Sequence, residues 1–173
     1  WSLRGWLLAR FAGIEFSEVM VSPDDADARK ELLLLAPSIR VPCLTHDGIK
    51  VWDTLAIAEY LAERFPDKQL WPADRRARAR ARSVCAEMHA GFGALRSHFP
   101  MNVEARLPEI GAKVLAEQAG VRSDLARIVQ MWSELLGEHG GPLLFGDFSI
   151  ADAYFAPVAS RARRETRSLT GKP

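Results

Sequence analysis

The sequence predicts two dissimilar halves, a small mixed α/β domain over residues 1–66 and a larger all-helical domain over residues 74–173. Three observations carry that prediction. Short helical and extended patterns alternate as far as Phe65. A proline-punctuated stretch follows, Phe65-Pro66-Asp67-Lys68-Gln69-Leu70-Trp71-Pro72. Beyond it, apolar residues recur almost only at helical spacing.

The first half reads as helix, strand, helix, strand, strand, helix. Leu3 to Ala12 is apolar with Arg4 and Arg10 interspersed, an amphipathic helix with Gly13 as its stop. Phe16 to Val21 alternates in the manner of a short strand. Pro23-Asp24-Asp25 opens a helix to about Leu35, its acidic residues placed where the helix dipole favours them. Ala36-Pro37-Ser38 ends it. Cys43-Leu44-Thr45 and Lys50-Val51-Trp52 flank His46-Asp47-Gly48-Ile49, and Asp-Gly between apolar runs signals a hairpin. Asp53-Thr54 opens the next helix, with Leu55, Ala58, Leu61, Ala62 and Phe65 as its apolar stripe.

The second half begins with a long helix from Asp74 to about Phe99, spaced through Ala77, Ala81, Val84, Met88, Phe92, Leu95 and Phe99. Val121 to Leu136 forms another. Ser149-Ile150-Ala151-Asp152 reads as a capping box in its Asp variant. The Ser149 hydroxyl would accept the Asp152 amide proton and the carboxylate would return the bond, opening a helix from Ile150 to about Ala162.

Bulk properties narrow the function classes. Hydrophobic residues are 48% and charged residues 26% of the chain, ordinary for a globular core with a solvated surface. The net charge of +1 gives no global drive toward nucleic acid or anionic membrane. No apolar run approaches the ~20 residues of a membrane span. The N-terminus lacks a secretory pattern. Two cysteines, Cys43 and Cys85, do not make a disulfide framework, and a reducing, cytoplasmic setting is the expectation. Both read as small buried hydrophobes. His46, His89, His98 and His139 are scattered, so no metal is expected. Arg75 to Arg82 alternates arginine with alanine and serves best as a solvated helix face, since no aromatics interleave for nucleic-acid binding.

The chemistry gathers around the hairpin. Val41-Pro42-Cys43-Leu44 stands at its start, and Trp52-Asp53-Thr54-Leu55-Ala56-Ile57-Ala58-Glu59-Tyr60-Leu61 leads out of it. Far downstream comes Gly146-Asp147-Phe148-Ser149-Ile150-Ala151-Asp152. In this order and at these separations the three pieces resemble the glutathione transferase superfamily, over nearly the whole chain to about Pro157. The opening Trp1-Ser2-Leu3-Arg4 is similar to the tail of the serine-type signature of zeta-like and related bacterial members, Ser-Ser-x-Ser-x-x-Arg or a close variant. Trp1 takes the x position and Arg4 falls one residue early. In that register the activating serine and the family's first strand would lie before Trp1. Zeta enzymes that isomerise maleylacetoacetate carry a cysteine near the position of Trp1, which argues against carrying over that activity.

The resemblance implies a thioredoxin-like first domain without its first strand, an all-helical second domain, a homodimer, and a glutathione site. It implies that Pro42 is cis, which costs an X-Pro bond only about 0.5–1 kcal/mol. Val41 would then present its N–H and C=O to the cysteinyl unit of glutathione as an added strand. Thr54, at a helix N-terminus, would take a carboxylate with its hydroxyl and amide, and Asp53 the γ-glutamyl ammonium. Arg40 or Lys50 would meet the glycyl carboxylate, and spacing does not choose between them. The reaction needs a thiolate, and a free thiol has a pKa near ~8.5. Ser2 is the nearest hydroxyl to the first helix start, so it is the catalytic candidate, with a helix cap as its plainer role. His89, Phe92 and Phe99 would line a hydrophobic substrate pocket or pack in the core, and Met101-Asn102 would border that pocket. The implied function is conjugation of glutathione to a small electrophile, the chemistry of detoxification. The rival class is a non-catalytic transferase-like binding module. A third reading, thiol reduction, would use Cys43.

Overall fold

The computed structural model describes residues 2–20, 27, 30, 41–99 and 108–166. The chain divides into two compact units, Trp1–Trp71 and Pro72–Pro173.

In the first unit, helix α1 runs from Ser2 to Phe11 and ends on Gly13, at φ 62°. Ile14 N–H bonds Ala9 O at 2.9 Å and Gly13 N–H bonds Arg10 O at 3.1 Å, the paired bonds of a left-handed glycine cap. Arg4 lies on the same face as Leu8 and Ala9 and is buried with them. Strand β1 (Cys43–His46) pairs antiparallel with β2 (Ile49–Trp52), with Cys43 opposite Trp52 and His46 opposite Ile49. Asp47 and Gly48 both take positive φ, 49° and 76°, as a two-residue turn between right-twisted strands requires.

Helix α2 follows from Thr54 to Arg64. Its buried residues are Thr54, Ile57, Ala58 and Leu61; of the expected stripe, Ala58 and Leu61 are buried and Leu55, Ala62 and Phe65 are half-buried. A single 3-10 turn, Pro66–Lys68, leads to Trp71, whose indole N–H donates to Glu59 Oε2 at 3.1 Å.

The strand expected over Phe16 to Val21 is absent as far as the described residues reach. Residues 14–20 are irregular, and Val19 and Met20 face solvent. Alternation alone does not make a strand. The ladder needs a neighbour, and none of the described strands pairs with this segment. Side chains hold the segment instead: Trp6 donates to Glu18 Oε1 at 2.8 Å, and the Arg10 guanidinium stacks on Trp6 and Phe16. Of the helix expected from Pro23 to Leu35, Asp27 and Lys30 are helical and bond at 3.0 Å; the remainder lies outside the described residues.

The second unit is helical: α3 (Arg75–Ala90), α4 (Gly93–His98), α5 (Pro108–Glu117), α6 (Ala119–His139) and α7 (Ile150–Thr166). Asp74 caps α3 by accepting the Ala77 N–H at 2.8 Å, and these backbone bonds hold its carboxyl below the usual range. The single helix expected from Asp74 to Phe99 breaks in two. Gly91 leaves helical geometry and Phe92 is left-handed, at φ 58°. A Cβ on Gly91 would lie 2.8 Å from Glu87 O, so only glycine fits the break. The apolar spacing runs on through it because Phe92, Leu95 and Phe99 are all buried in the same unit as Met88.

The arginine face is only partly solvated. Arg80 pairs with Glu134 and Glu138 of α6 at 2.9 and 2.5 Å, and Arg127 of α6 grips Glu87 with two bonds. At the start of α7, the Asp152 carboxylate does return a bond to the Ser149 N–H at 2.9 Å. The Ser149 hydroxyl, however, donates to that carboxylate and does not accept the Asp152 amide, which bonds Ser149 O. The second carboxylate oxygen accepts the Leu144 N–H at 2.9 Å, so Asp152 pins the preceding loop as well.

Candidate functional site

The hairpin register builds the candidate site. Because Cys43 is opposite Trp52, the chain just before β1 and the chain just after β2 emerge at the same end of the ladder. Val41-Pro42 is therefore brought to the side of Asp53-Thr54. The Val41–Pro42 peptide is cis, and Val41 is more than one-third exposed. Helix α1 approaches this turn closely: a Cβ built on Gly5 would meet Pro42 Cγ at 3.7 Å. A larger side chain at residue 5 would separate them.

Asp53 turns the chain from strand into helix with an unusual backbone, φ 73° and ψ 135°. A non-glycine residue there is uncommon. Its Oδ1 accepts the Leu55 N–H at 2.8 Å and the Ala56 N–H at 3.4 Å, the bonds of an ordinary N-cap. Thr54, the first residue of α2, is buried.

Cys43 carries a free, half-buried thiol. Burial pushes its pKa up, and the nearby Lys50 charge only partly opposes this. Lys50 lies opposite Thr45, on the face that carries Cys43. A thiol kept protonated is a poor nucleophile, which counts against the reductase reading.

Ser2 is the first residue of α1 and is exposed. Arg40 and Met101-Asn102 lie outside the described residues. His89, Phe92 and Phe99 belong to the second unit. Phe92 and Phe99 are buried, whereas His89 is exposed and bonds Tyr154 Oη through Nδ1 at 2.9 Å. Among the described residues no group of three or more His, Cys, Asp or Glu could hold a metal ion, and no helix is long and apolar enough to cross a membrane.

Sequence reasoning missed the buried Arg4 and the contact of His46 with Tyr60, where His46 Nδ1 lies 2.8 Å from the hydroxyl. Arg4 could have been found from its i, i+4 spacing to Leu8. Nothing in the spacing pointed to the second pair.

Comparison with known proteins gives this geometry a setting. Residues 1–64 match the family model for the glutathione S-transferase N-terminal domain. A probable maleylacetoacetate isomerase from Caenorhabditis elegans is 28% identical, the match covering all of this chain and 78% of that protein. The maleylacetoacetate isomerase of Rattus norvegicus is 29% identical over 83% of this chain, and this chain spans 63% of it. Among solved structures, a holo maleyl pyruvate isomerase, a bacterial zeta-class glutathione S-transferase, superposes with a TM-score of 0.69 at 24% identity, covering 99% of this chain and 82% of that one. This likeness shows the fold, a thioredoxin-like first unit and an all-helical second unit.

Proposed function

We infer that this chain, which belongs to the glutathione S-transferase superfamily, binds glutathione at the open end of the β1–β2 hairpin and uses it on a small electrophile. The observation that carries the reading is the register, which sets Val41-Pro42 beside Asp53-Thr54. An extended peptide meets Val41, an exposed residue, and pairs with its backbone. Its amino-acid end meets a helix N-terminus, where the dipole favours a carboxylate. Thr54 takes that carboxylate, and Asp53 takes the adjacent ammonium. The glycyl carboxylate falls to Arg40 or Lys50.

When bound, glutathione supplies a thiolate, the nucleophile for an electrophilic carbon whether the product is a conjugate or an isomer. The named relatives point to isomerases, and Trp1 argues against carrying over maleylacetoacetate isomerisation. Ser2 is the proposed hydroxyl donor to the thiolate; Ser2→Ala then raises the pKa of the bound thiol, read from thiolate ultraviolet absorbance against pH. His89, Phe92 and Phe99 remain the proposed lining for the electrophile, with His89 the exposed member. A homodimer completes the proposal.

Isothermal titration with glutathione, comparing wild type with Thr54→Ala, tests the site. Losing a hydrogen bond to a charged group should weaken binding by about 1.5–3 kcal/mol. Wild-type protein that binds no glutathione would overturn the reading. Binding without turnover of any electrophile would select the non-catalytic module.

A further inference from the structure

The hairpin and helix α2 leave the proposed site as two arms joined at Asp53. Four strand residues carry the hairpin tip roughly 13 Å from that junction, and six residues of helix carry Tyr60 about 9 Å along α2. The arms meet again at their far ends. His46, the last residue of β1, sets its Nδ1 2.8 Å from Tyr60 Oη. Its ring stands nearly edge-on to Tyr60 and tilts over Phe65, each with centroids 5.9 Å apart. Asp47 in the turn lies 3.8 Å from Arg64 Nη2 and 3.7 Å from His46 Nε2. None of these residues belongs to the proposed site, yet all close the angle between the elements that form it.

We propose that the His46–Tyr60 contact is a positioning clasp: by fixing the angle between the hairpin and α2, it sets Val41 against Thr54 for glutathione. The inference rests on the proposed glutathione site. A hairpin pinned only at its base pivots there, because one peptide unit, Asp53, connects it to the helix. Any pivot re-aims the backbone at Val41 relative to the first turn of α2. Pinning both ends removes that freedom before the ligand arrives, and preorganisation of this kind raises affinity without adding a ligand contact.

Two readouts test the clasp. In isotope-labelled protein without ligand, Tyr60→Phe, which removes only the hydroxyl, should shift the amide resonances of Val41, Thr54 and Leu55. Shifts confined to the neighbourhood of residues 46 and 60 would overturn the clasp whether or not the protein binds glutathione. In titrations of fully folded protein, Tyr60→Phe and His46→Ala should each weaken glutathione binding about three- to tenfold, the scale of one net hydrogen bond. Their combination should be no worse than either alone. His46→Asn, whose amide can stand in for Nδ1, should restore most of the affinity. Variants that lose stability to urea but keep wild-type affinity would assign the contact a merely structural role and overturn the proposal. Wild-type protein that fails to bind glutathione would sink the proposed site. The amide shifts would then still decide whether the clasp sets the angle.

Discussion

At the scale of single residues, the side chains with several partners matter most. Asp152 accepts from Leu144 N–H, Ser149 N–H and the Ser149 hydroxyl. Asp152→Ala leaves two backbone donors unsatisfied in a half-buried setting, and about 2–3 kcal/mol of unfolding free energy should be lost in urea titration. An unchanged midpoint would show that water replaces the carboxylate. Asp53 has two tasks, because one carboxylate caps α2 and is proposed to hold an ammonium. The sequence made Asp53 and Thr54 legible through their place after an Asp-Gly turn. It did not reveal Arg4 as buried, because charge argued for solvent while spacing argued for the core.

Helices and strands show where local pattern was enough and where it failed. Asp47-Gly48 was enough for the hairpin, since few other residue pairs accept two positive φ angles in succession. The α2 stripe was legible in part, since Ala58 and Leu61 are buried as expected, whereas Ile57 is buried in addition and Leu55 and Ala62 only half-buried. The break at Gly91 was hidden because apolar spacing stays in step across it. Gly91→Ala should cost about 1–3 kcal/mol by thermal unfolding, as a Cβ so close to Glu87 O forces the corner to shift. Helix α5 escaped notice despite Pro108 at its first position and Glu109 in its first turn, because the flanking segment offered no periodic stretch long enough. Between α3 and α6, the Arg127 hydrogen bonds hold the Glu87 carboxyl below its usual range. A depressed folded-state pKa contributes stability above the unfolded value and loses it as pH falls through the folded one. The pair is substantially exposed, so its worth is at most about 1 kcal/mol. Glu87→Gln should therefore lower stability slightly at neutral pH and make no difference in strong acid. An equal deficit at both pH values would mean that packing, and not charge, explains it.

For the molecule as a whole, the sequence correctly divided the chain's character into a mixed first half and a helical second half, because a change of period from two to 3.6 is visible without any contact map. What it could not convey was which extended segments find a partner strand, a question of pairing between distant residues. The homodimer is a proposal at this scale. Sedimentation equilibrium should return about twice the 19.2 kDa chain mass, and a single-chain mass at all concentrations would contradict it. The central claim is that glutathione seats where the two ends of the hairpin come together. Titrating glutathione into labelled protein while following its amide resonances tests this most directly. Changes concentrated at Val41, Cys43 and Thr54 to Ala56 are the predicted result. Saturable binding that leaves those amides unmoved and perturbs another region would contradict it.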